Sequence, residues 1–194
     1  SKGIKFMSFR YEIRLSGEGG QGLVLAGKIL AEAAAIYDDK NATQSQSYGP
    51  EARGGASRSE VIISDEDIDY PKAVNIDLLL AFTQEACKRY YHDLKENGIL
   101  LGDSDAITQI PEGKFQVYRI PILDIARKEV GKVMVANIVA LGIIASLVQV
   151  VSEEAMEAAI LSRVPKGTEN LNLKAFKIGL ETGKKLLTQT EPTH

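Results

Sequence analysis

Residues 10–35 read RYEIRLSGEGGQGLVLAGKILAEAAA, and this stretch decides the fold of the chain. Apolar and polar residues alternate over residues 11–15, which is the two-residue period of a β-strand. Apolar and small residues recur at helical spacing over residues 23–34. A glycine-rich turn at residues 17–22 joins the two segments. The stretch therefore predicts a Rossmann-like first β-α unit, whose helix N-terminus carries free N–H groups and a positive dipole end.

Two interpretations of the glycine turn stay open at this point. Small residues let a phosphate or dinucleotide approach the backbone closely, but they also allow a tight turn that binds nothing. A dinucleotide site needs an acidic residue about 20 residues beyond the turn, at the end of a second apolar strand. Asp38 and Asp39 stand near that distance, but no apolar strand precedes them. We also expect the turn to leave no space for a branched side chain at Gly20.

Composition and charge exclude several classes of protein. The net charge of −3 implies no broad basic surface, so we expect no nucleic-acid partner. A single cysteine, Cys87, rules out an internal disulfide and a cysteine-built metal or iron–sulfur site. The apolar residues 133–151 only just reach the ~20 residues of a membrane span, so a buried helix is expected and no span. The N-terminus has no signal-peptide layout, and we expect a cytoplasmic protein.

A second unusual stretch lies between Ile36 and Val61, where the sequence has no Val, Ile, Leu, Met or Phe. Such a stretch has little to bury, so we expect ordered polar structure there, with a short strand near residues 43–47. Arg53 stands beside two glycines that can take positive φ, and its guanidinium suits a phosphate or a carboxylate. An ordinary surface ion pair of Arg53 is the alternative.

The rest of the chain alternates predicted strands and helices. Strands are expected at residues 58–63, 77–82, 99–101 and 115–120, and helices at residues 84–95, 122–130 and 133–151, followed by two more. Thr83 and Ser152 are expected N-caps, whereas Gly98 and Gly131 are expected helix ends. The last helix should bury a stripe of residues, namely Leu173, Phe176, Leu180, Gly183 and Leu187.

This order predicts an α/β fold of three layers, in which a mostly parallel or mixed sheet carries helices on both faces. We expect a flexible N-terminus at residues 1–10, a single domain at residues 11–187 and a disordered tail at residues 188–194.

The usual catalytic patterns are missing from this sequence. It has no nucleophile elbow, zinc-ligand spacing, P-loop lysine or Ser/His/Asp set. Tyr48 and Glu51 could perform acid–base chemistry, although spacing alone does not assign it to them. The chain is therefore more typical of a binding or assembly component than of a complete enzyme, and no catalytic or metal-binding residue is assigned.

Two motifs together resemble one family. Gly17-Glu-Gly-Gly-Gln-Gly22, followed by Gln44-Ser-Gln-Ser-Tyr-Gly-Pro-Glu-Ala-Arg-Gly-Gly55, is similar to the gamma subunit of 2-oxoacid:ferredoxin (acceptor) oxidoreductases. The resemblance extends over roughly residues 11–185 and includes the Asn137…Leu141-Gly142 helix. The full loop motif most resembles the 2-oxoglutarate branch, because pyruvate and branched-chain relatives vary this loop.

The resemblance implies an oxidative decarboxylation of a 2-oxoacid with coenzyme A. The products are an acyl-CoA, CO2 and two electrons for ferredoxin or a similar acceptor. It further implies that thiamine diphosphate and iron–sulfur clusters belong to alpha, beta and ferredoxin-like partner subunits, and that this chain alone binds no cofactor. The implied part of the gamma subunit is to complete the complex and to help form the coenzyme A approach.

The resemblance also implies a set of binding residues, taken over from the two motifs. They are Gly17, Gly19, Gly20, Gln21, Gly22, Tyr48, Gly49, Pro50, Glu51, Arg53, Gly54 and Gly55. Two alternatives remain from the residues themselves. One is a stand-alone Rossmann-type protein that binds NAD or FAD, and the other is an assembly module without a ligand.

Overall fold

A six-stranded sheet forms the middle layer of this protein in a computed structural model that describes residues 9–47 and 56–189. The strands are β1 (Arg10–Glu18), β2 (Asn41–Gln46), β3 (Ala56–Ser64), β4 (Ile76–Ala81), β5 (Leu94–Asp103) and β6 (Gln116–Ile120). The α-helices are α1 (Leu23–Glu32), α2 (Gln84–Tyr90), α3 (Ile122–Ile125), α4 (Ala136–Leu147), α5 (Glu153–Arg163) and α6 (Glu169–Gln189). Wider π-helical turns extend α1 through Ala33–Tyr37 and α3 through Ala126–Val130.

The sheet is mixed, with the strand order β2-β3-β1-β4-β5-β6. Strands β1, β4, β5 and β6 run parallel to one another, whereas β3 is antiparallel to both β1 and β2. Because β1 leads through a helix into the next segment, the first unit is Rossmann-like, as predicted. The α/β class with a mixed sheet is confirmed.

Helices cover both faces of the sheet, as the alternation within β1 requires. Ile13 and Leu15 point into the larger core, which α1, α4 and α6 cover. The opposite face carries a smaller core, where Leu79 and Leu100 of the sheet pack against Cys87 of α2. Burial of these apolar side chains on two faces is the main stabilising term of such a layered fold.

Two glycines let α4 and α6 touch along their backbones. A Cβ added at Gly142 would lie 2.3 Å from the carbonyl oxygen of Phe176 and 2.8 Å from the Cα of Gly179. The expectation that Gly142 marks a close helix contact is therefore confirmed. Helix α4 is buried almost all round, which explains its apolar sequence. Among the described residues, none of the helices combines the length and apolar character that a membrane span requires.

A buried arginine ties the centre of the sheet to the smaller core. The Nε of Arg14 donates to Glu60 at 3.0 Å, and its Nη1 donates to Asp93 at 2.5 Å. The guanidinium also lies 5.0 Å from the ring centroid of Tyr90. Only 4% of the Arg14 side chain is exposed, so these contacts replace the water that the charge loses on burial.

Several predicted helix boundaries are confirmed by their capping geometry. The hydroxyl of Thr83 accepts the N–H of Ala86 at 3.1 Å, and that of Ser152 accepts the N–H of Ala155 at 3.1 Å. Gly131 ends the segment after α3 with a φ of 105°, a conformation that favours glycine.

The predicted helix over residues 84–95 is wrong beyond Asp93. Residues Tyr91–Asp93 form a 3₁₀ turn, and Leu94 then begins β5 opposite Ile76. Gly98 is therefore not a helix end, since it lies within β5. A Cβ there would approach the carbonyl oxygens of Lys95 and Asp77 at 3.0 and 3.2 Å, so close passage of the backbone explains this glycine.

Three further boundaries differ from the prediction. The apolar helix α4 ends at Leu147, short of residue 151, because the chain turns there toward the Ser152 cap. Leu187 of the predicted apolar stripe is 38% exposed, since it lies beyond the part of α6 that packs against α4. Strand β1 begins at Arg10 and α6 ends at Gln189, so regular structure extends into both predicted terminal segments.

Candidate functional site

The glycine turn lies where the chain changes direction across the sheet. After β1 the chain passes to β2 and β3 on one side, and after β4 it passes to β5 and β6 on the other. Open α/β sheets bind ligands in the crevice outside the strand ends at such a switch point. Residues 19–22 follow β1 at this point, and Phe82 follows β4, donating its N–H to the oxygen of Ser16 at 3.0 Å.

The predicted turn at residues 17–22 begins later than expected, because β1 continues through Glu18. Gly17 is a strand residue, and a Cβ there would lie 2.2 Å from the side-chain oxygen of Gln21 and 3.0 Å from the Cβ of Phe82. The same oxygen of Gln21 accepts the N–H of Glu18 at 2.7 Å. Gly17 and Gln21 therefore brace the turn against the strand ends.

Gly20 and Gly22 have left-handed backbone conformations, with φ of 87° and 73°. A Cβ at Gly20 would meet no atom of the described residues within 4 Å. The expected lack of space is therefore wrong for this part of the chain, and the backbone conformation is the constraint. At Gly22 a Cβ would lie 2.4 Å from the Nδ2 of Asn137, which donates to the Gly22 oxygen at 3.0 Å. Asn137 thereby joins the start of α4 to the turn, a role that its sequence position did not indicate.

Gly19 differs from the other glycines of the turn. It has no left-handed φ, it is exposed, and a Cβ there would meet no atom within 4 Å. Within the described residues, therefore, the fold gives no reason for glycine at this position. An exposed position without a side chain allows another molecule to approach the backbone closely.

Helix α1 starts directly after the turn without a side-chain cap or an acidic residue in its first turn. Its first N–H groups and its positive dipole end are therefore not neutralised by any described side chain. Val133 and Met134 precede α4, whose Asn137 contacts the turn, and they have 46% and 71% of their surface exposed. These two consecutive exposed apolar side chains are candidates for contact with another molecule.

The predicted binding residues Tyr48, Gly49, Pro50, Glu51, Arg53, Gly54 and Gly55 lie outside the described residues, and their roles stay predictions. The residues on either side of this segment can be placed. Ala56 pairs with Glu18 in the β1–β3 register, and the N–H of Ser47 donates to the oxygen of Arg58 at 3.2 Å. The described residues on both sides of this segment therefore lie near the end of β1 that leads into the glycine turn.

The structure gives no support to a dinucleotide site. The carboxylate of Asp38 accepts the N–H of Ser152 at 2.6 Å and its hydroxyl at 2.7 Å, so it caps α5. The two neighbours of β1 in the sheet are β3 and β4, and β3 is antiparallel to β1. In a dinucleotide-binding fold, the strand at the position of β3 is parallel to β1.

Titratable and metal-binding groups add little to the site. Burial raises the pKa of the Cys87 thiol, which makes this cysteine a poor nucleophile. No cluster of three or more His, Cys, Asp or Glu side chains within residues 9–47 and 56–189 could hold a metal ion. What the turn offers is backbone N–H groups and open space, which suit binding rather than proton transfer.

Comparison with known proteins identifies the relatives of this chain. It is 53% identical to the 2-oxoglutarate synthase subunit KorC of Methanocaldococcus jannaschii, over 93% of this chain and 97% of that subunit. The crystal structure of a keto/oxoacid ferredoxin oxidoreductase gamma subunit from Geobacter sulfurreducens is 58% identical, with a TM-score of 0.82, covering 89% of this chain and 98% of that one.

A longer relative contains the same unit. The 2-oxoglutarate:ferredoxin oxidoreductase of Magnetococcus marinus, solved with 2-oxoglutarate, coenzyme A and succinyl-CoA bound, is 25% identical with a TM-score of 0.79. The match covers 95% of this chain but 32% of that one. The sequence pattern of the pyruvate ferredoxin/flavodoxin oxidoreductase family matches residues 12–182. The resemblance drawn from the two motifs is thus confirmed, and the chain belongs to the pyruvate ferredoxin/flavodoxin oxidoreductase family.

Proposed function

We propose that this chain is the gamma subunit of a 2-oxoglutarate:ferredoxin oxidoreductase. The complex would convert 2-oxoglutarate and coenzyme A into succinyl-CoA and CO2 and would pass two electrons to ferredoxin or a similar acceptor. The observation that carries this proposal is the 53% identity to a 2-oxoglutarate synthase subunit over nearly its whole length. Three further 2-oxoglutarate synthase subunits, at 37–47% identity, support the same substrate.

More distant relatives support 2-oxoglutarate over other 2-oxoacids. The ketoisovalerate oxidoreductase subunit VorA and the pyruvate synthase subunit PorC of Methanothermobacter marburgensis are 32% and 30% identical to this chain. Both values lie below those of all four 2-oxoglutarate synthase subunits. A pyruvate or branched-chain substrate is therefore the weaker alternative.

Within the complex, this chain would bind and position rather than catalyse. Gly19 leaves the backbone open, and α1 presents uncapped N–H groups directly behind it. Coenzyme A carries phosphate groups, and a helix N-terminus with an accessible backbone is a site that phosphates favour. We infer that the turn forms part of the coenzyme A approach, while thiamine diphosphate and the iron–sulfur clusters are held by partner subunits.

The same edge would also contact the partners. Val133 and Met134 are exposed just before α4, whose Asn137 contacts the glycine turn, and an interface would remove their apolar surface from water. We propose that alpha, beta and ferredoxin-like subunits assemble with this chain in the cytoplasm, and that this edge meets one of them.

The test starts from the complex purified with this chain and assayed without oxygen. Coenzyme A-dependent reduction of a dye acceptor is measured with 2-oxoglutarate, pyruvate and 2-oxoisovalerate. We expect the highest kcat/KM with 2-oxoglutarate. A clear preference for another 2-oxoacid would reject the substrate, and isolation of this chain alone with NAD bound would reject the family role.

A variant pair tests the role of the turn. Gly19→Leu adds a side chain at the open position, whereas Asn170→Leu adds one at an exposed position on α6. Both complexes should assemble, and only Gly19→Leu should raise the apparent KM for coenzyme A. Equal kinetic constants for the two variants would remove the turn from the coenzyme A approach.

A further inference from the structure

A polar strip of the sheet, beside the smaller core, is not covered by any helix among residues 9–47 and 56–189. Helix α2 has only seven residues and packs over the centre of the sheet, so it does not reach β2. On the face that carries α2, Ser45 of β2 lies opposite Glu60 of β3, and Ser47 lies opposite Arg58. These four residues and Gln46 line a cavity of about 310 Å³.

Arg58 lines this cavity, and the described residues satisfy only part of its hydrogen-bonding capacity. Its Nε lies 3.6 Å from Glu60, which is longer than a hydrogen bond, and its guanidinium lies 5.5 Å from the ring centroid of Tyr90. Within residues 9–47 and 56–189, its two terminal nitrogens donate no hydrogen bond. The hydroxyls of Ser45 and Ser47 likewise have no hydrogen-bond partner in this part of the chain.

Glu60 neutralises Arg58 only in part, because a second arginine, Arg14, shares the same carboxylate. The Nε of Arg14 donates to the same carboxylate oxygen at 3.0 Å, and Arg14 is the better buried of the two cations, with 4% of its side chain exposed against 33% for Arg58. Asp93 pairs with Arg14 as well. Both carboxylates are thus bonded to Arg14, whereas no described residue accepts a hydrogen bond from the outer nitrogens of Arg58.

The cavity lies near the end of β1 that leads into the glycine turn. Arg58 pairs with Ser16 in the β1–β3 register, one residue before Gly17. A ligand that contacts the glycine turn from the side of β3 therefore comes close to Arg58.

We propose that Arg58, with the hydroxyls of Ser45 and Ser47, binds an anionic group of a substrate of the complex. A guanidinium fork with two hydroxyl donors matches a carboxylate or a phosphate. The Tyr90 ring lies beside the guanidinium of Arg58. This inference rests on the proposed function, which supplies two anionic substrates. The group is either a phosphate of coenzyme A or a carboxylate of 2-oxoglutarate.

The test uses the assembled complex with three variants of this chain. Arg58→Gln removes the charge, Arg58→Lys keeps the charge but loses the fork, and Ser47→Ala removes one donor without disturbing the ion pairs. Arg127→Gln is the matched control, because Arg127 forms an exposed ion pair on another part of the surface. Apparent KM values are measured for 2-oxoglutarate, coenzyme A and 3′-dephospho-coenzyme A.

We expect Arg58→Gln to raise one KM on the order of tenfold, since a charge-assisted contact is lost, with little change in kcat. Arg58→Lys and Ser47→Ala should raise the same KM by less, and the control should change none. A higher KM of the variant for coenzyme A identifies a phosphate as the bound group. If the KM of the same variant for 3′-dephospho-coenzyme A equals that of wild type, the bound group is the 3′-phosphate. A rise for 2-oxoglutarate identifies its carboxylate.

Two outcomes would overturn the inference. One is a set of KM values within twofold of wild type for Arg58→Gln. If the complex with Arg58→Gln does not assemble, the second such outcome is a Ser47→Ala complex whose KM values equal those of wild type. A wild-type complex that does not turn over 2-oxoglutarate with coenzyme A would instead reject the proposed function, so the two failures are distinguishable.

Discussion

Replacing Gly142 by alanine should force α4 and α6 apart. The added methyl would lie 2.3 Å from the carbonyl oxygen of Phe176, and a relaxed carbon–oxygen contact needs about 3.3 Å. The helices must therefore separate by roughly 1 Å, because both neighbouring groups belong to the backbone and have no rotamer to change.

The size of the effect follows from two opposing terms. Overpacking of a tight core costs about 1–3 kcal/mol, and the backbone contact at Gly142 favours the upper end. Alanine in a helix interior regains about 1 kcal/mol relative to glycine. We therefore expect Gly142→Ala to lower the free energy of unfolding by about 2 kcal/mol, which corresponds to roughly 4–8 °C in Tm for a chain of this size.

The assay is urea unfolding of the purified chain, followed by circular dichroism. Gly19→Ala is the matched control, because its methyl meets no atom and its φ is not left-handed. This control should leave stability unchanged or raise it slightly. Gly179→Ala should behave like Gly142→Ala, and the double variant should lose less than the sum, since the helices have already separated. A Gly142→Ala chain as stable as the control would refute the reasoning.

Three further predictions concern other parts of the chain. Thr83→Ala removes the cap that holds the first turn of α2 and should cost about 1 kcal/mol in urea unfolding, whereas Thr83→Ser should retain most of it. Burial and the Asp77 carboxylate raise the pKa of Tyr11 in the folded protein. The contribution of Tyr11 to stability should therefore be complete below the ordinary tyrosine pKa of about 10 and should decrease as the pH rises above it. Tyr11→Phe should weaken this decrease when unfolding is measured from about pH 9 to about pH 11. Arg53→Ala should raise the apparent KM for coenzyme A or 2-oxoglutarate in the assembled complex roughly ten- to hundredfold, and unchanged kinetics with intact assembly would remove it from the binding residues.

Local patterns were enough to predict the parts of the fold that local chemistry decides. The alternation in β1, the hydroxyl caps at Thr83 and Ser152, and the terminating Gly131 depend on neighbours within a few residues. The α/β class follows from the order of such elements.

Features that depend on distant residues were not predictable in this way. Residues 94–98 belong to β5 because Leu94 pairs with Ile76 of β4 and because Gly98 lets the strands pass closely. Both contacts join separate segments of the chain. The antiparallel direction of β3 is likewise set by its pairing with β1 across some 50 residues of chain.

The same distinction holds for the candidate site. The glycines of the turn were predictable from their spacing, but the reason for each one required the structure. Gly17 faces Gln21 and Gly22 faces Asn137, whereas Gly19 faces no described residue within 4 Å. Arg58 carried no sequence signal, since the surrounding residues are polar throughout and only the fold turns its side chain toward Tyr90.

The buried charge of Arg14 has a consequence for how the sheet avoids misalignment. Side chains alternate between the two faces of a strand, so a slip of one residue between β1 and β3 would exchange Arg14 with its apolar neighbours Ile13 and Leu15. The guanidinium would then enter the larger core without Glu60 or Asp93, at a cost of several kcal/mol. The buried guanidinium of Arg14 thus disfavours alternative registers of the central strand, even where it adds little to the stability of the native register.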